Sequence, residues 1–149
     1  MVPADVDEVV RIIRLHDSDD ALTARRYFGE GPTFADDPRH GHLVCEDEAG
    51  DLVGVSGWGV DAEAGDTYWL GWTYVNPWSE GRGAGRALLD AVVGRVRALH
   101  GRRLFLDTSS LPKYDRAVRF YARNGFAEEG RLLDYYAPGE HKLLMGRTL

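Results

Sequence analysis

Residues 73–91 read TYVNPWSEGRGAGRALLDA. Aromatic and β-branched residues come first, then a proline, a glycine-rich turn, and an apolar pattern at helical spacing. The stretch is therefore the end of a strand, a kink at Pro77, and a helix entered through Gly81, Gly83 and Gly85. Glycines leave the backbone bare where that helix begins. The first N–H groups of a helix lack intrahelical partners and lie at the positive end of its dipole, so such a mouth binds phosphate oxygens. Arg82 and Arg86 add cationic side chains there. A second reading stands equally open on the glycines alone: a turn that merely lets helix and strand pack closely.

Two phosphate motifs fail on this stretch. GxxxxGK[ST] needs a lysine that is absent after Gly81 and Gly83, and GRGAG has the wrong spacing for GxGxxG. Pro77 cannot donate a ladder hydrogen bond, so pairing with one neighbouring strand is expected to end after Val75. A gap there, beside a helix mouth, suits an elongated ligand with a phosphate end and an amide-bearing arm.

Working outward, the 149 residues make one domain, 1–149, with enough chain for a substantial core. A hydrophobic content of 44% with 28% charged residues is that of a soluble globular protein. The net charge of −6 argues against a nucleic-acid partner, which calls for a basic stripe, and suits a small cationic one. Cys45 is the only cysteine, so no intramolecular disulfide forms and a reducing cytoplasm is expected. Its apolar neighbours mark it as a buried spectator. No apolar run approaches the ~20 residues of a membrane span, and Met1–Asp7 lacks the basic and apolar regions of an export signal. A cytoplasmic protein without membrane contact is expected.

Asp5 and Glu8 form a capping-box-like start for a helix over Asp5–His16, and Asp19 caps a short second helix ending near Gly29. Residues 29–41 are a loop. His42–Glu46 and Leu52–Val60 form a hairpin, and Thr67–Val75 is apolar on both faces, as in a strand covered on both sides. The helix over Gly83–Leu99 carries the stripe Leu88, Val92, Val96 and Leu99, widened by Leu89 and Val93. A short strand at Arg103–Thr108 follows, then a helix from Ser110 to about Asn124. Phe126–Leu133 and His141–Met145 make a closing hairpin. The order predicts an α/β domain with a mixed sheet. His40 and His42 read as exposed loop histidines, since no third ligand accompanies them and no metal site is expected.

Val75-Asn-Pro77 followed by Gly83-Ala-Gly85-Arg-Ala-Leu-Leu resembles the acetyl-CoA motif of the GNAT N-acetyltransferase superfamily. Ala117 to Phe126, AVRFYARNGF, resembles its second signature, A-x-x-x-Y-x-x-x-G-F. The two lie in register, with a helix and a short strand between them, and the similarity runs along nearly the whole chain. The resemblance implies a mixed, mostly antiparallel central sheet of about six strands flanked by four helices, splayed after Val75. It implies acetyl-CoA as co-substrate and direct acetyl transfer to a primary amine, of a small molecule first and of a peptide second. Other readings stay open: a non-catalytic acyl-CoA sensor, or transfer of a longer acyl group. A homodimer through the closing hairpin is also expected.

Carried over residue by residue, the backbone of Tyr74 and Val75 pairs with the pantetheine arm, and the N–H groups of Arg82, Gly83, Ala84, Gly85, Arg86 and Ala87 hold the pyrophosphate. Tyr121 is the general acid for the leaving thiolate; a phenol of pKa about 10 can reprotonate a thiolate of ~8.5. The plain alternative for Tyr121 is a core aromatic, since Tyr114, Val118 and Tyr121 share a helix face. Arg116, Arg119 and Arg123 form the opposite stripe, a solvated face with room for one 3′-phosphate contact.

Three departures stand out. Glu80 occupies a position where the family has Gln or Arg, and Tyr114 replaces a frequent Asn. The edge strand before the first helix is missing, so the sheet has six strands or the chain starts late. A base must also deprotonate the amine, whose pKa is ~10.4 when free. The strand TYWLGWTYV contains no carboxylate, leaving Asp107 as the nearest candidate base, with Asp66 and Asp134 behind it. Asp107 has an equally open reading as a strand-end residue bonding nearby backbone. Trp58, Trp69, Trp72, Tyr27 and Phe28 are core or acceptor-pocket aromatics.

Overall fold

The computed structural model describes residues 1–30 and 37–149, so residues 31–36 of the expected loop lie outside the described residues. Two helices lead, α1 (Val6–Arg14) and α2 (Ser18–Glu30), followed by β1 (His40–Glu46), β2 (Leu52–Val60) and β3 (Thr67–Val75). Then come α3 (Ala84–Ala98), β4 (Arg103–Ser109), α4 (Asp115–Arg123), β5 (Ala127–Ala137) and β6 (Glu140–Thr148). The six strands form one sheet in the order β1-β2-β3-β4-β6-β5. Every pairing is antiparallel except β3–β4, where α3 is the crossover that returns the chain in the same direction.

The helix starts differ from the expected ones. The Asp5 carboxylate accepts the Val2 N–H at 2.6 Å, and Glu8 pairs with Arg11, because residues 3–5 already form a 3-10 turn ahead of α1. Asp17, not Asp19, caps α2: its Oδ1 accepts the N–H groups of Asp19 and Asp20 at 2.9 and 3.2 Å. Ser110 does not cap α4. Its hydroxyl accepts the His141 N–H at 2.9 Å, and a 3-10 turn at Pro112–Tyr114 precedes the helix.

Two cores sandwich the sheet. Leu89, Val92, Val93 and Val96 of α3 pack with Tyr121 and Phe126 over Tyr68, Leu70, Leu104 and Leu106. On the opposite face Val9, Val10 and Ile13 of α1 meet Ala21, Ala24 and Phe28 of α2 over Val55. Trp58 belongs to the first core; Trp72 and Tyr74 pack against the second.

β3 changes faces part-way. Gly57 opposes Gly71, but Val55 opposes Tyr74, so β3 carries one extra residue opposite Ser56. Trp72 sits in this bulge with φ of 49°. Upstream, Tyr68 and Leu70 face α3; downstream, Trp72 and Tyr74 face α1 and α2, leaving Thr73 and Val75 on the α3 side. The same bend opens the sheet. β3 and β4 pair only from Thr67↔Arg103 to Trp69↔Phe105, so they separate after Trp69 rather than after Val75, and the bulge precedes Pro77 as the cause.

Two smaller corrections follow. His42 is not an exposed loop residue: it lies in β1 with its ring 5.0 Å from Phe28 and 5.7 Å from Tyr27, and burial pulls its pKa down from 6.5 to about 4. Cys45 is half-buried rather than enclosed. Among the described residues, no helix is long and apolar enough to cross a membrane.

Candidate active site

The glycine turn forms the floor of the opened sheet. Gly81 and Gly83 hold φ of 77° and 93°, a left-handed conformation that favours residues without a Cβ, and a Cβ on either would meet nothing within 4 Å. Gly83 is the N-cap of α3, and no side chain caps the helix. The first helical bond runs from Ala87 N–H to Gly83 C=O at 2.9 Å, which leaves the N–H groups of Gly83, Ala84, Gly85 and Arg86 without helical acceptors. The Ala87 N–H is thus spent inside the helix, and the Arg82 N–H is directed at Ser79 C=O at 3.4 Å. Gly85 lies where α3 passes over Val75, 3.5 Å from where its Cβ would stand.

The charged side chains at this mouth divide into paired and unpaired. Arg86 bonds Asp90 and Asn124, each at 2.7 Å, and so lies along the helix. Glu80 is neutralised by Arg116 reaching over from α4. Arg119 leans toward Asp115 at 3.9 Å. Arg82 is exposed and has no charged or hydrogen-bonding partner among the described residues.

Val75 forms the rim. Asn76 N–H donates to Val53 C=O at 2.8 Å, which makes 76 and 53 a hydrogen-bonded pair. By alternation the polar groups of Tyr74 belong to the β2 ladder, and those of Val75 face the opening. Of the two expected residues, only Val75 therefore turns main-chain groups toward the opening, and of these the N–H is left for a ligand, since the C=O accepts from His16.

The two faces of this rim differ in chemistry. On the α4 side, Tyr121 is 8% exposed, and its hydroxyl lies near the Thr73 side chain, itself 2.8 Å from Ser56 Oγ. Burial pushes the phenol up to about 12, partly offset by Thr73. On the α1–α2 side, His16 Nε2 stands 2.7 Å from Val75 C=O, with its ring 5.6 Å from that of Tyr74. The Tyr74 hydroxyl donates to Asp20, and burial followed by that carboxylate drives its pKa far up. Asp17 accepts from Lys113 at 3.1 Å and from Tyr114 at 3.2 Å. Neither His16 nor Asp20 stood out in the sequence; their partners are 59 and 54 residues away along the chain.

The expected carboxylates are scattered. Asp107, on β4 across the opening, is held by Lys142 at 3.0 Å and by the Tyr136 hydroxyl at 3.3 Å. Asp66 lies at the closed end of β3, paired with Arg102 at 2.9 Å, and is remote from the rim. Asp134 belongs to the β5–β6 hairpin, where it accepts the Gly139 N–H at 2.8 Å. Of the aromatics, Trp69 donates to Asp61 at 2.8 Å and stacks near Phe105, whereas Trp72, Tyr27 and Phe28 cluster on the α2 side.

A model of the acetyltransferase (GNAT) family matches residues 9–126. Mycothiol acetyltransferase of Propionibacterium freudenreichii subsp. shermanii is 42% identical over 94 residues, 58% of this chain; the match covers 28% of that longer protein. A crystal structure of a GNAT-family protein from Desulfovibrio desulfuricans is 31% identical, with a TM-score of 0.83 over 98% of this chain and 91% of that one. An aminoglycoside 6′-N-acetyltransferase complexed with coenzyme A gives the same TM-score over 99% and 92% of the two chains; at 17% identity the likeness is one of fold. With a family model spanning both signature segments and a solved relative sharing the whole architecture, the chain belongs to the GNAT acetyltransferase family.

Proposed function

We propose that the protein moves an acetyl group from acetyl-CoA to a primary amine of a small molecule, by direct transfer within a ternary complex. The observation that carries this reading is the uncapped mouth of α3, with Gly83 at φ 93°, opening beside the unpaired rim at Val75. Bare N–H groups at a helix start fit a pyrophosphate, and an unoccupied strand edge fits an amide-bearing arm. The N–H groups of Gly83, Ala84, Gly85 and Arg86 hold the pyrophosphate. Arg82, without a partner of its own, supplies the cation. The Val75 N–H, left free while its C=O accepts from His16, pairs with the pantetheine arm.

Bound acetyl-CoA supplies an activated acyl carbon and a thiolate leaving group. Tyr121 stays protonated at neutral pH because burial lifts its pKa to about 12. It is therefore a donor to a sulphur as charge develops there. The same dry surroundings penalise a thiolate, so the proton affinities of the two groups rise together. Calorimetry with acetyl-CoA, followed by thiol release across a panel of amines, tests the reading. Saturable binding with turnover on small amines supports it; turnover on peptide N-termini alone would redirect it to a protein substrate. We place the protein in the cytoplasm, as a homodimer through the β5 edge, where Leu132, Leu133 and Tyr135 are 45%, 71% and 55% exposed. Sedimentation of Leu133→Asp as a monomer beside a dimeric parent tests that contact.

A further inference from the structure

The reaction proposed above needs a proton given to the sulphur and, before attack, a proton taken from the acceptor ammonium; the tyrosine accounts for the first. We propose that His16 accounts for the other, as the base that takes the proton from the acceptor ammonium. This assignment rests on the acetyl-transfer reading and extends it to the amine side.

The hydrogen bond to Val75 carries the argument. A carbonyl oxygen only accepts, so at 2.7 Å the His16 Nε2 must hold the proton it donates. In the neutral ring the lone pair then belongs to Nδ1, and the tautomer is set by the strand itself. The anchor point is the residue whose main chain lines the opening between β3 and β4. His16 comes to it from the α1–α2 face, while Tyr121 reaches Thr73 from the α4 face. Acyl transfer from a thioester to an amine needs this division: a proton acceptor where the nucleophile enters, a proton donor where the sulphur leaves.

The neighbours favour a cation at that entrance. Tyr74 of β3 lies beside the ring with its hydroxyl on Asp20, and Asp17, the cap of α2, lies close by with Lys113 and Tyr114 from the segment before α4. Across the opening stand Tyr136 of β5, Asp107 of β4 and Lys142 of β6, close enough for the Asp20 charge to be felt at Tyr136. Asp20 has no cationic partner among the described residues. It is placed to attract an ammonium, whereas Asp107 is already neutralised by Lys142.

The step balances as follows. An N–H bond of the ammonium breaks and an Nδ1–H bond forms on His16. The freed lone pair forms the C–N bond as the C–S bond breaks, the sulphur takes the Tyr121 proton, and the acylated nitrogen gives its second N–H proton to water, leaving a neutral amide. His16 then returns its proton to solvent, and solvent reprotonates Tyr121.

His16→Gln separates the two roles of the ring, because its amide N–H can still donate to Val75 while no base remains. The expected result is a kcat lowered about 100-fold at neutral pH, with acetyl-CoA affinity by calorimetry within twofold of the parent. The variant's rate should then climb about tenfold per pH unit toward the pKa of the free amine, since only amine already neutral in solution reacts. Independently of turnover, a long-range 1H–15N spectrum of the free parent should identify the His16 ring as the Nε2–H tautomer. A variant matching the parent in kcat and pH profile would overturn the assignment, and so would an Nδ1–H tautomer. A parent that binds no acetyl-CoA would overturn the acetyl-transfer reading along with it; a parent that binds and turns over beside an unaffected variant removes His16 alone.

Discussion

At the scale of single residues, the phenol of Tyr121 is a test of proton donation that leaves binding alone. Tyr121→Phe keeps the ring packed against Phe120 and Phe126, at centroid distances of 5.3 and 5.6 Å, and removes only the hydroxyl. Turnover should fall about 100-fold, with acetyl-CoA affinity nearly unchanged; stopped-flow thiol release and calorimetry read the two. An unchanged kcat would leave Tyr121 a core aromatic. His42 makes a separate point about acid stability. Its folded pKa of about 4 lies below the ordinary 6.5, so the unfolded chain takes up the proton first. Its contribution is complete above pH 6.5 and is lost as pH falls from there toward 4. His42→Phe should flatten the pH dependence of urea midpoints across that window, while a slope equal to the parent's would assign the acid sensitivity elsewhere.

At the scale of elements, the mouth of α3 separates charge from backbone shape. Arg82→Ala should weaken acetyl-CoA binding several-fold at low salt and little at high salt, because an exposed cation acts through a screened field. Gly83→Val should weaken binding at every salt concentration, since a branched side chain at φ 93° strains the cap and fills the approach. Equal salt slopes for parent and Arg82→Ala would remove the arginine from the site. The elements also show what was legible beforehand. β2 and β3 have the bounds that their apolar runs predict, and α3 buries Leu88, Leu89, Val92, Val93 and Val96 as its spacing requires. β5 runs on to Ala137, past the expected Leu133, because its residues are almost all exposed and leave no apolar pattern to count. The early parting of β3 from β4 was hidden as well: a bulge depends on what lies opposite, and Gly71-Trp-Thr73 alone does not announce it. The glycine mouth was local and therefore readable, whereas the ring of His16 meets Val75 only once α1 has docked.

At the scale of the whole molecule, a ligand that binds only the folded protein must raise its melting temperature. At 100 times its dissociation constant, acetyl-CoA should add about 2.7 kcal/mol, which for a chain of this size is about 5–10 °C. Scanning calorimetry reads this directly, and a flat response would argue that the opening takes no such ligand. The bulge at Trp72 has its own global consequence. Since each residue of a strand faces the side opposite to its predecessor, one inserted position acts as a phase shifter for everything downstream. Excising Trp72 would undo that shift: with Gly71 still opposite Gly57 and Tyr74 still opposite Val55, Thr73 would fall opposite Ser56, and both residues would keep their sides. What would go is the local bend that parts β3 from β4. Such a deletion variant would be a folded protein with both proton-handling faces in place and the slot between them zipped shut.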